Sequence, residues 1–153
     1  MTDRSELALQ LASVVAEVDA AIERSGDRAY RTYHLSHRAH AALCAVDQGG
    51  PDGARPKDVA EHLGVSRAAA TTFIQRLEAK GWVETTPDPD DDRGVRVRVT
   101  RRGLDMLLRV GQLERRLAAR AIDGLPASAI LRAVHLLQEF KRRLDEKHIG
   151  VVP

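Results

Sequence analysis

Residues 56–80 read Pro56-Lys57-Asp58-Val59-Ala60-Glu61-His62-Leu63-Gly64-Val65-Ser66-Arg67-Ala68-Ala69-Ala70-Thr71-Thr72-Phe73-Ile74-Gln75-Arg76-Leu77-Glu78-Ala79-Lys80, and their spacing decides the fold. Lys57 to Leu63 predicts a short helix, and Gly64-Val65-Ser66 a tight turn. A second helix follows from about Arg67 to Lys80, with the Ser66 hydroxyl placed to cap it. Ala70, Phe73, Ile74 and Leu77 fall at i, i+3, i+4 and i+7, so they form a core face. At about 100° per residue the opposite face carries Ala68, Thr72, Gln75 and Ala79, flanked by Thr71 and Arg76. Amphipathic helices of this kind are common, so the neighbouring segments decide what this one means.

The next segment, Val83 to Val99, predicts a two-stranded hairpin. Val95, Val97 and Val99 alternate with Arg96 and Arg98, the period-two pattern of a half-buried strand. Glu84-Thr85-Thr86 is the opposing strand, and Pro87 to Gly94 forms a Pro-, Asp- and Gly-rich tip. Charge changes sign there. Glu84, Asp88, Asp90, Asp91 and Asp92 come before the turn, and Arg93, Arg96, Arg98, Arg101 and Arg102 after it.

A helix-turn-helix backed by a hairpin suits entry into DNA. The outward helix face is small and polar, so it fits a major groove. There Gln75 can pair with adenine, Arg67 or Arg76 with guanine or phosphate, and a threonine methyl with a thymine methyl. Arg93 at the tip suits a narrow minor groove, with Asp91 placed to orient it. The expected DNA contacts are Ser66, Arg67, Ala68, Thr71, Thr72, Gln75, Arg76, Arg93, Arg96 and Arg98. The plainer reading of the hairpin is a surface element whose charge pairs contribute roughly 0–1 kcal/mol each.

Amphipathic helices flank this module. Leu7, Leu11, Val14, Val15, Val18 and Ile22 form one stripe across residues 5 to about 31. Ser36 is an N-cap for a helix from His37 to Asp47, with Leu43 and Val46 on its inner face, and residues 48–53 read as a loop. Thr100 caps a long helix bearing Leu104, Leu107, Leu108, Leu113 and Leu117. Asp123-Gly124 breaks it, and Pro126 opens a last helix carrying Ile130, Val134, Leu137, Phe140 and Leu144. The fold class is therefore mainly α with a small β-hairpin wing. Residues 36–103 form a winged helix-turn-helix, while 1–35 and 104–153 form dimerisation helices. Three amphipathic helices are too many for so small a module to cover, so a two-fold homodimer is expected.

Composition agrees. The 153 residues are 43% hydrophobic but only 3% aromatic, which favours helix packing over a β-sandwich. A net charge of +2 is not that of a polybasic chain, so charge placement carries more than charge total. Cys44 is the only cysteine and allows no intrachain disulfide, which fits a reducing compartment. The N-terminus has no signal-peptide core, and no run approaches the roughly 20 apolar residues of a membrane span. A cytoplasmic protein with no membrane partner is expected.

With these residues in hand, the chain resembles the MarR family of bacterial transcriptional regulators. The resemblance rests on Asp58-Val59-Ala60-Glu61-His62-Leu63-Gly64-Val65-Ser66, then Leu77-Glu78-Ala79-Lys80-Gly81-Trp82-Val83-Glu84. Asp88-Pro89-Asp90-Asp91-Asp92-Arg93 and Val99-Thr100-Arg101-Arg102-Gly103 follow in register. It implies a homodimer on a pseudo-palindromic DNA operator, usually a repressor, released by a small molecule or by oxidation. By position, Arg93 is similar to the family's wing-tip arginine and Asp91 to the aspartate that orients it. Asp92 stands where the family often has arginine, and Thr72 where it often has a basic residue. Both departures lower the positive charge near DNA.

The resemblance also implies an effector pocket between the dimerisation helices and the winged module. Tyr30, Tyr33, His34 and His37 fall near that junction and suit a small aromatic or anionic effector. Cys44 sits beside Leu43 and reads as a buried small hydrophobe rather than a redox sensor. His34, His37 and His40 are three apart, a spacing that drifts around a helix, so no metal site is expected. His62, His135 and His148 bring no evident partner, and Trp82 reads as a packing residue. No phosphate-cradling glycine loop or nucleophile motif is present, so neither an enzyme nor a cofactor is expected. The competing readings are a winged-helix protein-interaction module and a metal- or redox-responsive sensor.

Overall fold

The computed structural model describes residues 3–146. His148 and the end of the 104–153 segment lie outside the described residues. Helix α1 spans Arg4–Ala29, α2 His37–Asp47, α3 Pro56–Leu63 and α4 Arg67–Ala79. Strands β1 (Val83–Asp88) and β2 (Asp91–Val99) form an antiparallel hairpin, followed by α5 (Arg101–Ala121) and α6 (Ala127–Glu146). The mainly helical fold with one hairpin is the one the spacing predicts. No described helix is long and apolar enough to cross a membrane.

Local chemistry sets the helix starts. Asp3 accepts from the Ser5 N–H at 3.2 Å, Ser36 from Ala39 at 3.1 Å and Ser66 from Ala69 at 3.2 Å. Each satisfies a donor that has no partner inside the helix. Thr100 caps α5, accepting from the Gly103 N–H at 3.1 Å, and its hydroxyl donates to the Gly81 carbonyl at 2.7 Å. Gly64 ends α3 with a left-handed φ of 62°, the backbone the turn needs.

Two expectations shift. The first helix stops at Ala29, and a 3-10 turn over Arg31–Tyr33 leads to His34 at φ 51°. The hairpin tip is tighter than residues 87–94. The Asp88 carboxylate accepts from the Asp90 N–H and the Asp91 carboxylate from the Arg93 N–H, both at 3.0 Å, so local turns replace a long loop. Pairing runs from Val83↔Val99 to Pro87↔Val95 and breaks register before Asp88↔Asp91. A further bridge, absent from the sequence reading, joins Ala54 to Val97 through two backbone hydrogen bonds of 2.9 Å.

The described chain divides into two compact units after Glu114. The first holds the core. Leu43 and Val46 from α2, Val59 from α3, and Ala70, Ile74 and Leu77 from α4 are buried with Trp82, Val83, Val97 and Val110. Phe73 is only half-buried, at the edge of this cluster. In the second unit α6 stays amphipathic, with Leu131, Val134, Leu137 and Leu144 exposed. Its polar side carries ion pairs from Arg142 to Glu139 (2.7 Å) and to Glu146 (2.6 Å). Exposed pairs of this kind are screened by water and add little to stability.

Gly103 sits where the start of α5 crosses the end of the hairpin. A Cβ there would lie 2.0 Å from the Trp82 carbonyl oxygen and 2.7 Å from Val99 Cγ1. Gly103→Ala is therefore expected to destabilise by about 1–3 kcal/mol or more, because backbone must move. Gly64→Ala meets no atom within 4 Å and should cost only about 1–2 kcal/mol, from its positive φ. Chemical denaturation of both variants checks the order; equal losses would contradict the packing described for Gly103.

Candidate nucleic-acid interface

The register of α4 divides its faces. Ala70, Ile74 and Leu77 point inward, so Arg67, Ala68, Thr72, Gln75 and Arg76 are exposed and Thr71 half-exposed. Thr71 donates its hydroxyl to the Arg67 carbonyl at 2.9 Å, and Thr72 to Ala68 at 3.1 Å. These bonds occupy both hydroxyl donors along the helix. The exposed Ser66 is likewise committed to its cap. Arg67, Gln75 and Arg76 thus remain as the long polar side chains of this face.

In the wing, Arg93 and Arg98 are exposed. Asp91 accepts from the backbone N–H of Arg93, so it shapes the chain that carries the guanidinium. Arg96 is placed differently from its expected role. Its side chain is only 17% exposed and forms ion pairs with Asp88 (3.0 Å) and Asp90 (2.9 Å). Arg55 joins them, donating from Nε to Asp88 at 2.6 Å. The Arg55 guanidinium holds the Asp88 carboxyl far below the usual carboxylate range, aided by the Asp90 N–H and Arg96. Sequence reading singled out neither Arg55 nor Asp88 as a partner, because no local pattern joins residues 33 positions apart.

Of the four expected effector residues, His37 alone borders the cleft beside α1 and α2. Tyr30 is 2% exposed and donates its hydroxyl to Glu114. Burial first, then Glu114, pushes its phenol well above the usual range. His34 is exposed and Tyr33 half-buried. His37 stacks on Tyr30 at 6.2 Å and borders a cleft of about 220 Å³. Asp19, Glu23 and Arg38 supply the other charged groups of that cleft, and His62, Leu63, Val65 and Phe73 its far wall. The Arg38–Glu23 ion pair, 2.7 Å, ties α1 to α2 beside it.

Behind Tyr30, the buried His40 places Nδ1 3.1 Å from Glu114 and Nε2 3.5 Å from the Cys44 sulfur. Burial lowers the His40 pKa, with Glu114 opposing. Burial also pushes the Cys44 thiol up to about 11, and Glu114 adds to the rise. Among the described residues no group of three or more His, Cys, Asp or Glu side chains is arranged to hold a metal ion.

The profile of the MarR family matches residues 35–94. The transcriptional regulator PecS of Dickeya dadantii is 28% identical over 97 residues, which is 63% of this chain and 58% of PecS. The chain thus spans little more than half the length of that curated relative. Wild-type MarR of Escherichia coli in its apo form superposes with a TM-score of 0.75 at 25% identity, covering 85% of this chain and 96% of MarR. A mutant of the same protein complexed with operator DNA gives a TM-score of 0.77 at 24% identity, covering 91% and 99%. Helix-turn-helix, hairpin wing and long flanking helices recur in the same order, so the chain has the winged helix-turn-helix fold and its residues 35–94 match the MarR family.

Proposed function

We propose that this chain is a homodimeric transcriptional regulator, a repressor, that binds a pseudo-palindromic DNA operator. The observation that carries the reading is the pairing of two surfaces within one compact unit. The exposed face of α4 (Arg67, Ala68, Thr72, Gln75, Arg76) is sized for a major groove, and Arg93 projects from the wing. The operator complex of the related E. coli protein supports it. The apolar residues left exposed on α1 (Leu7, Val14, Val18, Ile22), α5 (Leu104, Leu108) and α6 (Leu131, Leu137, Leu144) support a second copy. In this reading segments 1–35 and 104–153 dimerise, 36–103 reads DNA, and the protein works in the cytoplasm.

Release belongs to a small aromatic or anionic effector at the junction of α1 and α2, where His37 borders the cleft. Cys44 does not suit an oxidant signal, because its thiol is held protonated by burial and by Glu114.

Two sets of variants test the reading. Arg93→Ala should lower affinity for the duplex that the native protein enriches from a random-sequence library by about ten- to a hundredfold, with the melting temperature unchanged. Gln75→Ala should relax preference at one base pair per half-site, by about 1–3 kcal/mol of discrimination. Full affinity in Arg93→Ala would remove the wing from the interface, and failure to enrich any sequence would favour the protein-interaction reading. For the sensor question, iodoacetamide should alkylate Cys44 at pH 8 about a hundredfold more slowly than a free thiol, accelerating toward pH 11. Modification at the free-thiol rate would restore the redox reading.

A further inference from the structure

Asp88 is a buried carboxylate in an otherwise hydrated hairpin tip, its side chain 1% exposed. Three donors converge on it, two from the hairpin itself and one, Arg55, from 33 residues upstream. Arg55, the residue before α3, donates Nε to Oδ2 at 2.6 Å. Arg96, in the middle of β2, brings Nε to 3.0 Å from Oδ1. The Asp90 N–H donates to Oδ1 at 3.0 Å and closes the tip. Arg55 is itself fixed, since its backbone N–H donates to Asp58 at 3.1 Å. Arg96 also reaches the Gly53 carbonyl at 3.4 Å, beside the Ala54–Val97 bridge. Gly53 leaves little room, as a Cβ there would meet the Val97 carbonyl at 2.9 Å.

We propose that Asp88 is a positioning residue for the wing: it ties the hairpin tip to the start of the helix-turn-helix, so that Arg93 is presented at a fixed offset from α4. The inference rests on the DNA-binding reading above and deepens it. Arg93 lies between the two anchored points, Asp90 and Arg96, and so inherits their placement. Charge follows the same logic. Arg55 and Arg96 are neutralised by Asp88 and Asp90 within the fold. The wing's free cations for phosphate are then Arg93 and Arg98, and Arg96 serves the structure. A buried carboxylate with charged donors holds geometry strongly, because losing a partner strands a charge away from water.

The test uses Asp88→Asn, which keeps the volume and one acceptor but removes the charge. In the free protein, amides of residues 90–96 should exchange about tenfold faster while amides of α2 and α4 keep their protection. Affinity for the enriched duplex should fall about tenfold in the native background and less than twofold in Arg93→Ala, since Asp88 acts through Arg93. Arg55→Gln should repeat the pattern at smaller size, which keeps the test available if Asp88→Asn folds poorly. Arg96→Gln should weaken binding without changing the salt slope, whereas Arg93→Gln should reduce that slope by about one. Unchanged exchange at the tip, strictly additive losses, or an Arg96 effect on the salt slope equal to that of Arg93 would each overturn the proposal. If no duplex is enriched, the regulator reading fails, and the exchange experiment alone decides whether Asp88 locks the wing.

Discussion

The burial of Ala70, Ile74 and Leu77 fixes the rotation of α4 about its own axis, and the rest of the surface depends on that angle. With these three side chains in the core, Arg67, Gln75 and Arg76 have no choice but to face outward. Truncating a buried leucine at such a site costs about 2–5 kcal/mol. The structural consequence matters as much as the energy. A helix free to roll would present its apolar stripe and its contact face alternately, and base reading tolerates no such averaging.

The wing is held by a different force. Its two strands bury Val83 and Val97 but leave Val95, nearer the tip, exposed, so apolar packing alone anchors the tip weakly. The Arg55–Asp88–Arg96 cluster and the Ala54–Val97 bridge supply the missing constraint. Asp88 is ionised across the whole physiological range, since its carboxyl is held far below the ordinary value. Its contribution is complete above the ordinary carboxylate range and is lost only as pH falls through that depressed value. The chain's modest net charge of +2 is thereby compatible with DNA binding. What matters is which cations are left unpaired, and placement decides that.

Local patterns carried most of the fold. Ser36 and the residues after it predicted α2 to its observed limits, and Ser66 and Thr100 marked the starts of α4 and α5. Periodicity named the buried face of α4, with Phe73 less buried than expected. Long-range pairing stayed out of reach. Strand alternation gives Arg96 and Arg98 the same face and cannot show that Arg96 meets carboxylates in the tip while Arg98 stays in solvent. Arg55 falls just past a Gly- and Pro-rich loop, with no local hint that Asp88 is its partner. Tyr30 read as a pocket residue because the family resemblance puts an effector pocket at its junction; a carboxylate 84 residues away draws its hydroxyl inward. In each case the deciding contact joins elements that only the folded chain brings together.

In the proposed reading α4 and the wing act on DNA together, one in each groove. Dimethyl sulfate protection of the complex tests it directly, because guanine N7 lies in the major groove and adenine N3 in the minor groove. The account predicts, in each of two symmetric half-sites, guanine N7 protection opposite α4 and adenine N3 protection on the flank reached by Arg93. Protection in one groove only, or in neither while binding persists, would contradict it.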